Sequence, residues 1–82
     1  MFCVYALYNK DNNKIYIGAT DNLERRIIEH NQKRGNHFTA KYSGEWKLIY
    51  SEITSTRKES LKREKQLKSY RGRQHIKKFI PR

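Results

Sequence analysis

Three short stretches carry strand-like patterns of apolar residues, and the stretches that follow the second and third carry apolar residues at helical spacing. Residues 2–8, Phe-Cys-Val-Tyr-Ala-Leu-Tyr, are apolar or aromatic on both alternating faces, the pattern of a strand covered on both sides. Residues 9–13 are rich in Asn and Asp, which tolerate positive φ and make tight turns. Residues 14–19, Lys-Ile-Tyr-Ile-Gly-Ala, predict a second strand, so the chain opens with a β-hairpin. An even number of loop residues places Tyr5 and Tyr16 on one sheet face, and an odd number separates them. The pattern alone leaves that register open.

Thr20 or Asp21 can cap a helix, with Glu24 three residues after Asp21 completing a capping-box pattern. The helix is expected to run to about Lys33, with Leu23, Ile27 and Ile28 as its apolar side and Gly35 as its end. Residues 35–45, with His37, Lys41 and Tyr42, read as a polar loop. A third strand follows over Trp46 to Thr54, where Trp46, Leu48 and Tyr50 alternate with Lys47, Ile49 and Ser51. Thr54, Ser55 or Thr56 can cap a second helix to about Tyr70, and Gly72 is expected to break it. A last helix over about 73–79 contributes Ile76 and Phe79 before Pro81 stops it. The order is ββαβαα, an α+β arrangement in one domain, residues 1–82, without repeats or a linker.

The core must be thin. Leu, Ile, Val and Phe make up 17 of 82 residues, close to the level at which highly charged chains are disordered, but ten aromatic residues add bulk. Cys3 is the only cysteine, so there is no internal disulfide and no thiolate zinc cluster; this fits a reducing, cytoplasmic setting. No apolar run approaches a membrane span, and a strand-like start predicts no signal peptide.

Charge changes the picture. Lys and Arg outnumber Asp and Glu by 19 to 8, and the excess is uneven. Residues 1–56 carry eight basic and six acidic side chains; residues 57–82 carry eleven and two. Such a segment is the electrostatic footprint of a nucleic-acid binder. A membrane surface fits less well, because the basic helices lack a broad apolar face. The expected phosphate contacts are Lys41, Lys62, Lys65, Lys68, Arg71 and Arg73.

There is no P-loop, zinc-ligand cluster or close pair of acids, and Cys3, inside a strand, reads as core. The oddly placed polar groups are the candidates. Glu64 falls midway between Leu61 and Leu67 on a helical projection, where a carboxylate costs free energy unless compensated. The plain alternative is an intrahelical pair with Lys68 or Lys62, worth a few tenths of a kcal/mol. Arg26 and His30, four residues apart, share one helix side at the edge of the sheet-packing face. There a guanidinium can grip a phosphate and an imidazole can exchange protons near neutral pH. Tyr5 and Tyr16 are also ordinary strand aromatics. Gly18, inside a strand, suggests a bulge or a close approach to the backbone.

Taken together these residues resemble the GIY-YIG endonuclease domain. Cys3-Val4-Tyr5 stands where that family has its first tripeptide, keeping only the tyrosine, and Tyr16-Ile17-Gly18 is the second tripeptide unaltered. The segment 23–31 looks like the family's helix motif, and 62–68 like the segment bearing its metal-binding glutamate. The resemblance covers nearly the whole chain. It is greatest to the small stand-alone members, related to the N-terminal domain of the bacterial excision-repair incision subunit.

The resemblance implies a three-stranded antiparallel sheet flanked by helices and a nuclease site of Tyr5, Tyr16, Arg26, His30 and Glu64 on one concave face. It further implies Mg²⁺ or Mn²⁺ on Glu64, phosphodiester hydrolysis with DNA ahead of RNA as substrate, and a monomer or weak dimer. Many family nucleases carry a late asparagine; this chain has none after Asn36, and Gln74 or His75 is the candidate substitute. The runner-up is a non-catalytic basic nucleic-acid-binding module on the same fold.

Overall fold

The computed structural model describes residues 1–33 and 37–81. Strands β1 (Phe2–Asn9) and β2 (Lys14–Thr20) form the expected hairpin, turned through residues 10–13 with Asn13 at φ 51°. The buried Asn9 side chain fixes the turn: its Oδ1 accepts from the Asn12 N–H at 3.0 Å, and its Nδ2 donates to the Ser43 carbonyl at 2.8 Å. Helix α1 (Leu23–Asn31), a short helix α2 (His37–Lys41), strand β3 (Trp46–Thr54) and helices α3 (Arg57–Lys68) and α4 (Tyr70–Lys77) complete the chain. The antiparallel sheet has the order β2-β1-β3, so β1 is central.

Both sheet faces are covered, which is why β1 reads as continuously apolar. Val4, Ala6 and Ile17 pack with Leu67 of α3 and Ile76 of α4. On the other face Tyr5, Leu7 and Trp46 pack with Tyr16, Leu23, Ile27 and Tyr42.

Four expectations need correcting. The cap of α1 is Asn22, whose side chain accepts from the Arg25 N–H; Thr20 instead accepts from the Asn22 N–H and supports the cap. Part of the expected polar loop is helix α2, and Gly35, expected to end α1, lies outside the described residues. The alternation of β3 does not hold throughout. Leu48 pairs with Leu7 and Tyr50 with Ala6, so Ile49 is an extra residue, and Trp46 and Tyr50 lie on opposite faces.

The fourth correction concerns the C-terminal helices. The chain turns at Ser69, which ends α3 and caps α4 by accepting from the Gly72 N–H. Gly72 sits buried inside α4. A Cβ there would run into the backbone of Gln66 and Leu67, so glycine is what lets α4 turn tightly against α3. Gly72→Ala is expected to cost about 3 kcal/mol through overpacking, read as a drop in melting temperature. A variant melting within a degree or two of wild type would show that the helix pair opens at little cost.

Candidate active site

The hairpin register places the two tyrosines. Tyr5 pairs with Gly18, and Leu7 with Tyr16, so Tyr5 and Tyr16 are diagonal neighbours on the α1 side of the sheet. Their ring centroids are 6.1 Å apart. A Cβ on Gly18 would stand 2.8 Å from the Tyr5 hydroxyl oxygen and 2.9 Å from the Tyr16 ring. Gly18 therefore marks a close approach rather than a bulge, and the approaching groups are the two phenols.

Helix α1 brings His30 over this pair. The Tyr5 hydroxyl lies 2.8 Å from His30 Nε2, and the Thr39 hydroxyl 2.8 Å from His30 Nδ1. Arg26, one turn earlier, pairs with Glu29 at 3.1 Å and is within hydrogen-bonding reach of the Tyr5 phenol. A guanidinium only donates, so Tyr5 accepts from Arg26; in the tautomer with the ring proton on Nδ1, Tyr5 donates its own proton to Nε2. The remaining ring proton then points from Nδ1 to Thr39.

Two further clamps hold this geometry. Asn31 hydrogen-bonds both backbone groups of Trp46, at 2.7 and 3.0 Å, tying the end of α1 to β3. The Trp46 indole N–H donates to the Thr39 carbonyl at 3.2 Å, which seats α2 against the imidazole.

His30 is therefore not at a rim, as the helical projection suggests, but fully buried. Burial, assisted by Arg26, pushes its pKa down to about 4, against a weaker opposing pull from Glu29. The ring is neutral at pH 7. Burial, reinforced by Tyr16, also holds the Tyr5 phenol well above its ordinary value, and the opposing effect of Arg26 does not prevail.

The histidine shift has a consequence for stability. Unfolded His30 takes up a proton near pH 6.5 and folded His30 only near 4, so the unfolded state binds more protons between these values. The contribution of this group is full above pH 6.5 and is lost as pH falls towards 4. It amounts to roughly 3 kcal/mol at 1.36 kcal/mol per pH unit. Denaturant titrations from pH 7 to 4 are expected to show that decline in wild type and a flatter profile in His30→Gln. Identical profiles would mean that His30 titrates normally.

Glu64 does not share this face. It lies on α3, whose Leu67 packs on the opposite side of the sheet. Its carboxylate is 2.8 Å from Lys68 Nζ and about one-fifth exposed. The edge of β2 links the two sides. A cavity of about 350 Å³ is lined by Arg26 of α1, Ala19 and Thr20 of β2 and Leu61 of α3. A second, of about 290 Å³, joins Tyr16 and Phe38 to Lys68 and Arg73. Leu61, Glu64 and Lys68 follow one stripe of α3, so Glu64 stands between the two cavities.

Lys41, Lys62, Lys65, Lys68, Arg71 and Arg73 are all exposed. Gln74 and His75 are exposed on α4, and His75 packs against Tyr50 and Phe79, away from the tyrosine pair. Thr39, the partner of His30 Nδ1, carried no sequence signal, because it falls in a stretch that reads as loop. Among the described residues no three His, Cys, Asp or Glu groups come together to hold a metal ion. Glu64 alone suits a hard cation that keeps most of its waters and takes its remaining ligands from a phosphate.

A site built from the first hairpin and the helix that follows it, on a three-stranded antiparallel sheet, is the arrangement of a small nuclease domain. The chain belongs to the GIY-YIG nuclease family: the family model for the GIY-YIG catalytic domain matches residues 1–77. A UPF0213 protein of Staphylococcus haemolyticus is 36% identical over 74 residues, covering 90% of this chain and 88% of its own length. One from Clostridium perfringens is 37% identical over 73 residues, covering 89% and 76%. A UPF0213 protein of Autographa californica nuclear polyhedrosis virus is 51% identical over 35 residues, 43% of this chain and 33% of its own. No solved structure matches. No helix among the described residues is long and apolar enough to cross a membrane.

Proposed function

We propose that the protein is a divalent-metal-dependent endonuclease that hydrolyses phosphodiester bonds in DNA, acting in the cytoplasm as a single domain over residues 1–82. The observation that carries this reading is the hydrogen-bonded run from Arg26 through Tyr5 to a neutral, buried His30. Arg26 binds the scissile phosphate and spreads its developing charge. The high pKa of Tyr5 argues against a standing phenolate, so Tyr5 acts as a relay. It takes a proton from the attacking water as its own passes to His30 Nε2. Phosphate binding at Arg26 offsets the positive charge that depresses His30 and makes the imidazole a better acceptor. Tyr16, its ring tilted against the imidazole at a centroid distance of 4.8 Å, holds His30 and Tyr5 in place. Glu64 would hold a Mg²⁺ or Mn²⁺ ion, which supplies Lewis acidity to the phosphate and leaving oxygens when bound.

Specificity comes from phosphate contacts and nucleic-acid shape, which the exposed Lys and Arg side chains of α3 and α4 are placed to read. The test is cleavage of labelled single-stranded, duplex, flap and branched DNA, with RNA counterparts, in Mg²⁺, Mn²⁺ or EDTA. Metal-dependent products on DNA are expected. No cleavage of any substrate in either metal would favour the non-catalytic module, to which the Glu64–Lys68 pair and the high pKa of Tyr5 also lend support.

A further inference from the structure

Aromatic residues continue beyond the catalytic cluster. Phe38 of α2 lies 5.9 Å from Tyr16, 5.4 Å from Tyr42 and 6.1 Å from Trp46, centroid to centroid. Trp46 is fully buried in this group, yet Phe38 remains 41% exposed. It borders the 290 Å³ groove whose other lining residues are Ile15, Tyr16, Ile17, Lys68 and Arg73. The groove thus has an aromatic and aliphatic wall on the β2 and α2 side and two cations on the α3 and α4 side. Tyr16 belongs both to this wall and to the tyrosine–histidine cluster. A ligand lying on Phe38 therefore also meets Tyr16, the ring that the groove shares with that cluster.

Exposing a phenylalanine costs stability, and here the surrounding rings hold it in place. An aromatic and aliphatic wall with two cations on the other side of the groove is complementary to one planar base and the phosphates on either side of it. A lipid surface calls for a broad apolar face, which this groove lacks. A duplex keeps its bases stacked inside, so the groove admits only an unpaired or extruded base.

We infer that Phe38 is the stacking platform for one unpaired nucleobase beside the cleaved bond, with Lys68 and Arg73 holding the flanking phosphates, so that single-stranded or locally unpaired DNA is the preferred ligand. This rests on reading the Tyr5–His30 face as the substrate site, but it concerns binding and does not require turnover.

The experiment measures affinity in EDTA for a fluorescein-labelled oligodeoxynucleotide, as a single strand and annealed to its full complement. Wild type is compared with Phe38→Leu, which keeps apolar bulk without a π-face, and with Phe38→Trp, which restores one. Melting curves confirm that each variant is folded; should the leucine variant melt early, the comparison runs at a temperature where it is folded. Wild type is expected to prefer the single strand. Phe38→Leu should lose about ten- to hundredfold on the single strand with little change on the duplex, and Phe38→Trp should bind as wild type does. Equal binding of the single strand by wild type and Phe38→Leu, or equal losses on both ligands, would overturn the inference. Failure of the nuclease reading would appear differently, as intact single-strand preference without cleavage in any metal.

Discussion

Glu64→Gln is expected to cut the rate of metal-dependent cleavage by about a hundredfold or more while the protein stays folded. The substitution keeps size and helix propensity and removes the charge that would hold the cation. A metal's share of transition-state stabilisation is several kcal/mol, and each ~1.4 kcal/mol is a factor of ten. The folded state loses only the Lys68 pair, with both partners partly exposed on one helix. That costs tenths of a kcal/mol. Nucleic-acid binding should persist or tighten slightly, because one negative charge leaves a basic surface. Melting, binding in EDTA and cleavage in Mg²⁺ or Mn²⁺, measured side by side, check this. Unchanged cleavage would show that Glu64 is not the metal ligand. A variant that unfolds would show that the Lys68 pair is structural.

Tyr5→Phe is the second large effect. The phenol is fully buried and hydrogen-bonded to an imidazole that is itself buried. Removing the hydroxyl leaves His30 Nε2 without that partner, at a cost of about 1–3 kcal/mol in stability. It also removes the group proposed to pass the water's proton to His30, so the cleavage rate is expected to fall by about 10² to 10⁴. Assaying well below the melting temperature separates the two effects. A destabilised variant that still cuts at the wild-type rate would make the Tyr5–His30 bond a core hydrogen bond and nothing more.

Much of this site was legible because it is local in sequence. The hairpin is short and its turn residues are strong, but its register was open until the pairing showed a four-residue turn, which by parity puts Tyr5 and Tyr16 on one face. Gly18 was legible because a strand-interior glycine needs a reason, and the two phenols supply it. The depth of His30 was not. A helical projection places it at the edge of α1, but α2 folds over that edge and delivers Thr39 to the imidazole. No local pattern marks such a closure. The extra residue in β3 was hidden for a similar reason: residues 46–51 alternate regularly by themselves, and only the pairing with β1 reveals Ile49 as unpaired. Gly72 misled because glycine ordinarily ends helices, whereas here it lets two helices touch.

Glu64 shows the limit most clearly. Its sequence neighbourhood resembles the family's metal-binding segment, but its helix packs on the opposite sheet face from the tyrosines, and it is Leu61 and Lys68, on the same stripe of α3, that line the cavities along the edge of β2, beside Arg26 and Tyr16.

Whether the two sides of that edge work as one site is the central question, and a double-variant cycle on single-turnover cleavage answers it most directly. The rates to compare are those of wild type, Tyr5→Phe, Glu64→Gln and the variant carrying both changes. Groups that act on one transition state are not additive, so the double variant is expected to cut about as slowly as the slower single variant. A double variant whose loss equals the product of the two single losses would contradict the account, because Tyr5 and Glu64 would then be acting independently.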